Sequence, residues 1–118
     1  MIHRVVFHNQ RLTPIEEVRL SPGQSGLMSG WGLFTTMRIT EGIPFAFERH
    51  WERLSRDAQK THCPFPFAEQ TVLGQLNEVL RAHQVKEGCA RIYAIYNQAG
   101  FWRSDENFPE VDLLICSA

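Results

Sequence analysis

Charge of one sign is missing from this chain: 12 Lys plus Arg stand against 13 Asp plus Glu, a formal net charge of −1. No overall field therefore draws it to nucleic acid or to anionic lipid, and any anion site must be local. Long apolar runs are missing too. No stretch approaches the ~20 residues that span a bilayer, and the opening MIHRVVFHNQR lacks the apolar core and cleavage site of a signal peptide, so the expected location is the cytoplasm. The three cysteines, Cys63, Cys89 and Cys116, are odd in number and widely spaced, which favours reduced thiols over a disulfide framework. His3, His8, His62 and His83 show no metal-ligand spacing with one another or with those cysteines. Lysine occurs only at Lys60 and Lys86.

What is present fits one small domain. The 118 residues, 43% of them hydrophobic, can bury roughly two thirds of their unfolded surface around one core. Ile2 to Phe7 reads as a strand, His8-Asn9-Gln10-Arg11 as a tight turn, and the stretch to Leu20 as a weaker strand broken by Pro14. Residues 21–26 have loop chemistry. Leu33 to Ile39 alternates, with Phe34, Thr36 and Arg38 on one side and Leu33, Thr35, Met37 and Ile39 on the other. Glu41-Gly42 closes a hairpin onto Ile43 to Phe47.

The period then becomes helical. Phe47, Trp51, Leu54 and Ala58 form an apolar stripe in a helix predicted from about Glu48 to His62, which Pro64 and Pro66 end. A second helix is expected from about Ala68 to His83, burying Val72, Leu73, Leu76, Val79, Leu80 and His83. Ala90 to Tyr96 is apolar enough for a strand covered on both faces, with Val111 to Cys116 as its partner. The expected fold is α+β, in the order β-β-β-α-α-β-β, a mainly antiparallel sheet carrying two helices. The end of the chain, directly after the apolar run to Cys116, is expected of a polypeptide that has been cut.

Arg53 is the leading candidate for chemistry. A guanidinium offers several donors in a rigid fork that suits phosphate oxygens, and its charge does not titrate away. His50 lies one turn earlier, with Arg49 and Arg56 alongside, so the local potential is positive although the chain is not. Two readings compete: an anion site, or a solvated basic face in which Glu52 pairs with Arg56. His50 is either a second anion contact or a packing residue. Phe101, Trp102 and Arg103 make the loop from Asn97 to Pro109 too rich in large side chains for a mere connector.

The sequence from Gly30 to Leu54, GWGLFTTMRITEGIPFAFERHWERL, resembles the N-terminal domain of the class IV (fold type IV) aminotransferases, which include branched-chain and D-amino acid aminotransferases and aminodeoxychorismate lyase. The likeness covers about Val5 to Ile115. It implies a pyridoxal 5′-phosphate enzyme acting on a small amino substrate, an amino acid or an aminodeoxychorismate-type compound, as a homodimer. By position it makes Arg53 the ligand of the cofactor phosphate, sets Phe34, Thr36 and Arg38 toward the substrate, and puts Arg103 near an arginine that grips a substrate carboxylate. Phe34-Thr35-Thr36 looks more like the lyase members than the aminotransferases. Trp31 stands where the family commonly has Asp, and Asn97-Gln98 replaces a frequent Arg, which leaves substrate preference open.

The chemistry of that family needs a lysine amine to hold the cofactor and shuttle a proton. Neither Lys60 nor Lys86 matches it by position. The resemblance puts that lysine in a following domain, absent from this chain, so residues 1–118 alone are expected to be inactive. The alternative is a free-standing, non-catalytic module that binds a phosphorylated ligand or a protein partner.

Overall fold

A computed structural model describes residues 1–20, 23, 25–97 and 109–118, with only the backbone of Ser25 and Met28. In chain order the elements are β1 (Val5–His8), β2 (Arg11–Pro14), a 3-10 turn (Ile15–Glu17), α1 (Ser25–Ser29), β3 (Gly32–Thr40), β4 (Ile43–Pro44), α2 (Phe47–Lys60), α3 (Glu69–Ala82), β5 (Gly88–Tyr96) and β6 (Val111–Ser117). The strands form one sheet in the order β2-β1-β6-β5-β3-β4, and every pairing is antiparallel. This is the expected α+β architecture, with the short β4, the 3-10 turn and α1 added to it.

Turn chemistry fixes both hairpins. Asn9 and Gln10 join β1 to β2 with φ of 45° and 71°, and Glu41 and Gly42 join β3 to β4 with φ of 54° and 77°. Two successive left-handed residues twist a turn in the sense of the strands they join. Ile15–Glu17 leaves the sheet at Pro14, which ends the second strand well before Leu20. The strand expected to run to Phe47 stops at Pro44, because Ala46 turns left-handed (φ 55°) and starts α2.

Both helices cover the same face of the sheet. Phe47, Trp51, Leu54 and Ala58 of α2 are buried at the predicted spacing, as are Val72, Leu76, Val79 and Leu80 of α3, whereas Leu73 and His83 stay half-buried. They meet Phe7, Met37, Ile39, Ala90, Ile92, Leu113 and Ile115 from the strands. The other face of β5 is not covered as its composition suggests: Cys89 and Arg91 are exposed and Tyr93 and Ile95 half-buried. An apolar sequence also suits a face that meets something beyond the chain.

Buried polar groups tie strands of the sheet together at two places and the sheet to α2 at a third. Asp112, 2% exposed, accepts from Asn9 Nδ2 and Asn97 Nδ2, and its Oδ1 lies 2.8 Å from His8 Nε2. Ser117 bonds His3 Nδ1 at 2.8 Å. Thr35 bonds two residues of α2. Cys63, Cys89 and Cys116 are all free thiols, and among the described residues no helix is long and apolar enough to cross a membrane. Leu76 is wholly buried between α3 and the sheet, so Leu76→Ala should lower the unfolding free energy by about 2–5 kcal/mol, read as an earlier urea midpoint at unchanged slope.

Candidate functional site

The site is built where β3 passes under α2. The sequence alternates along β3, and the structure buries Thr35, Met37 and Ile39 beneath the helix while Phe34, Thr36 and Arg38 point to the uncovered face. Gly32 lets β3 approach β5 there, since a Cβ would stand 2.6 Å from the Ala94 carbonyl oxygen. Gly30, at φ +67°, supplies the left-handed turn before the strand.

Arg53 rises from α2 over the buried side of β3. It is exposed as a residue, yet its guanidinium donates to Thr35 Oγ1 at 2.5 Å. Thr35 Oγ1 also lies 2.7 Å from His50 Nδ1. A guanidinium can only donate, so the threonine oxygen accepts from Arg53, and the His50 tautomer sets which partner donates in the second bond. Burial, and then the Arg53 charge, hold the His50 pKa below its ordinary value of 6.5, which favours the neutral ring. His50 is therefore half-buried and bonded to the strand. Glu52 and Arg56 do not pair: among the described residues the ion pair within 4 Å is His8–Asp112.

Phe34, Thr36 and Arg38 lie together on the open face, away from the Arg53 side chain. Arg91, missed among the candidates from sequence, joins them from β5. Its Nε donates to Thr36 Oγ1 at 2.7 Å and its Nη1 to the Tyr93 hydroxyl at 3.2 Å. The guanidinium carbon also sits 5.1 Å from the Phe34 ring centroid and 5.6 Å from that of Tyr93. The strand alternation Arg91, Tyr93, Ile95 was the available signal. A shallow cavity of about 230 Å³ opens beside them, lined in part by Thr36, Arg91, Tyr93 and Cys116. Arg103, with Phe101 and Trp102, lies outside the described residues.

The two groups of residues flank one edge. β4 pairs only with Ile39 and Thr40 of β3, and the Phe45 N–H extends that ladder to the Arg38 carbonyl. From Gly32 to Met37, among the described residues, the outer edge of β3 has no strand beside it. A ligand crossing there would have Arg53 on one side of the sheet and Phe34 and Thr36 on the other. Larger cavities lie elsewhere, for example one of about 420 Å³ between the β1–β2 turn and the start of α3, and among the described residues neither Arg53 nor Phe34 lines them.

Known proteins resemble this chain in sequence and in fold. The family model described as amino-transferase class IV matches residues 32–117. Over 88 residues the chain is 31% identical to an aminodeoxychorismate lyase of Bacillus subtilis (strain 168), covering 75% of this chain and 30% of the lyase. Over 83 residues it is 29% identical to a D-alanine aminotransferase of Bacillus licheniformis, covering 70% of this chain and 29% of that protein. Its fold matches an Escherichia coli branched-chain amino acid aminotransferase at a TM-score of 0.83 and 16% identity, covering 97% of this chain and 39% of that one. A branched-chain aminotransferase from the thermophilic archaeon Thermoproteus uzoniensis, solved with norvaline, matches at 0.81 and 21% identity, covering 97% and 40%. At those identities the structural likeness speaks for the fold alone. The chain spans well under half the length of each of these relatives.

A lowered His50 pKa has a stability consequence of definite sign. The unfolded imidazole takes up its proton near 6.5 while the folded one resists, so stability is complete above that pH and is lost as the pH falls through it toward the folded value. His3 is lowered as well, by burial first and then by His83. Urea midpoints at about pH 7.5 and about pH 5.5 should therefore fall with acid, and His50→Gln should make that fall shallower.

Proposed function

The chain belongs to the amino-transferase class IV family, and on that premise we propose that it is the N-terminal domain of a pyridoxal 5′-phosphate enzyme whose cofactor lysine lies in a further domain. The observation that carries this is Arg53. It is a permanently charged phosphate ligand by chemistry, exposed, tethered to Thr35, and set beside the open edge of β3.

The residues present suit the phosphate end of such a cofactor and not its amine partner. Lys60 closes α2 roughly 10 Å along the axis from Arg53. The Lys86 carbonyl accepts from Gly42 at 2.9 Å, which places that residue at the β3–β4 turn, the far end of β3 from Phe34. When bound, pyridoxal phosphate supplies an electron sink that makes the proton on a substrate α-carbon removable. This domain's share is to bind and orient. Arg53 would hold the phosphate on the helix side, Phe34 and Thr36 would wall the open side, and Arg38 and Arg103 would meet the substrate.

The substrate we assign is a small amino compound of the amino acid or aminodeoxychorismate type. Phe34-Thr35-Thr36 and the likeness to the B. subtilis lyase favour the lyase side. A homodimer and a cytoplasmic location belong to the same proposal, the latter in keeping with three unpaired thiols.

The test uses the protein joined to its proposed lysine domain. Arg53→Gln should raise the Kd for pyridoxal phosphate about 10- to 100-fold, the worth of a charge-assisted contact, and leave that for pyridoxal, which has no phosphate, nearly unchanged. Equal loss for both compounds, or for neither, would remove Arg53 from the phosphate and the proposal with it.

A further inference from the structure

We propose that Thr35 is a positioning residue: its hydroxyl, held between His50 and Arg53, aims the guanidinium at the phosphate monoester of the cofactor. This rests on Arg53 being the phosphate ligand, and it adds the group that decides where that ligand points.

An arginine on an exposed helix face ordinarily samples many rotamers, so its charge is spread over a wide arc. Arg53 differs because one of its donors is bound to an atom that cannot move. Thr35 is 0% exposed. Its β-branched side chain has few χ1 choices, and its strand is paired with β5 from Gly32 to Ile39. The hydroxyl has one hydrogen, and we assign it to His50 Nδ1, 2.7 Å away. With the hydrogen so directed, the oxygen's lone pairs are left to Arg53 and the His50 proton stands on Nε2. The donors of Arg53 not bound to Thr35 remain open to an anion, since the residue is exposed.

The same oxygen connects the two sides of the site. Thr35 stands between Phe34 and Thr36 on one strand, so the residue that holds Arg53 shares its backbone with the opposite wall. Valine at this position would keep the volume and the χ1 preference and delete only the oxygen. Arg53 would then be free to turn into solvent and His50 would lose its partner. Serine would keep the oxygen. A residue present only to fill the core would not distinguish these two replacements by what they do to a phosphate.

The experiment compares pyridoxal phosphate with pyridoxal as ligands of the complete protein carrying Thr35→Val, Thr35→Ser or Arg53→Gln. We expect Thr35→Val to cut the preference for the phosphorylated compound about tenfold or more, and Thr35→Ser to keep it within about twofold. In ¹⁵N spectra at neutral pH the unsubstituted protein should carry the His50 proton on Nε2. If Arg53→Gln abolishes the preference while Thr35→Val keeps it, the positioning role falls and the phosphate reading stands. If Arg53→Gln also keeps it, the phosphate reading itself has failed. A proton on His50 Nδ1 would overturn the arrangement independently. Should Thr35→Val not fold, Thr35→Ala carries the same two outcomes.

Discussion

A hydroxyl buried where α2 lies across β3 is the constraint from which the rest of the site follows. Packing Met37 and Ile39 against Phe47, Trp51 and Leu54 carries Thr35 beneath the helix as well, because it shares their side of the strand. A buried hydroxyl without a partner costs ~1–3 kcal/mol. Its partners come from the helix that buries it: His50 and Arg53, a turn apart on one flank of α2. The core therefore decides where the cation stands, and the cation needs no ion pair of its own.

The two faces of the sheet then take different duties. One is filled by the helices and supplies stability. The other keeps Phe34, Thr36, Arg38, Arg91 and Tyr93 together on two neighbouring strands, with the Arg91 guanidinium laid over both aromatic rings. β4 is only two residues long, so among the described residues no strand lies beside the outer edge of β3 from Gly32 to Met37. A cofactor bridging Arg53 and Phe34 needs such an edge, and a longer β4 would close it. The left-handed turn at Ala46 ends the strand early and starts α2 in time to bring Arg53 beside that edge.

Much of the fold was legible in the residues. Alternation from Leu33 to Ile39 separates Phe34, Thr36 and Arg38 from the buried set as the structure does. The stripe Phe47, Trp51, Leu54, Ala58 names the buried face of α2 residue for residue. Asn9-Gln10 and Glu41-Gly42 mark both hairpins. Where the reading erred, a local rule met a nonlocal fact. β5 looks buried on both faces because apolar composition cannot tell a face covered by its own chain from one left open for another. Ile43 to Phe47 has the composition of a strand, and one backbone conformation at Ala46 cuts it short.

The sequence by itself determined the class of fold, the helix that bears Arg53, and the family. These rest on periodicity and on a run of residues close together in the chain, and both survive without coordinates. Only the tertiary structure decided that Arg53 meets Thr35, that Glu52 and Arg56 do not pair, that His50 bonds the strand, and that Arg91 belongs beside Thr36. Those contacts join residues 18, 15 and 55 positions apart. Which of the many possible polar partners lie within hydrogen-bond reach is settled when the sheet register and the seating of α2 are settled, and no spacing along the chain encodes that.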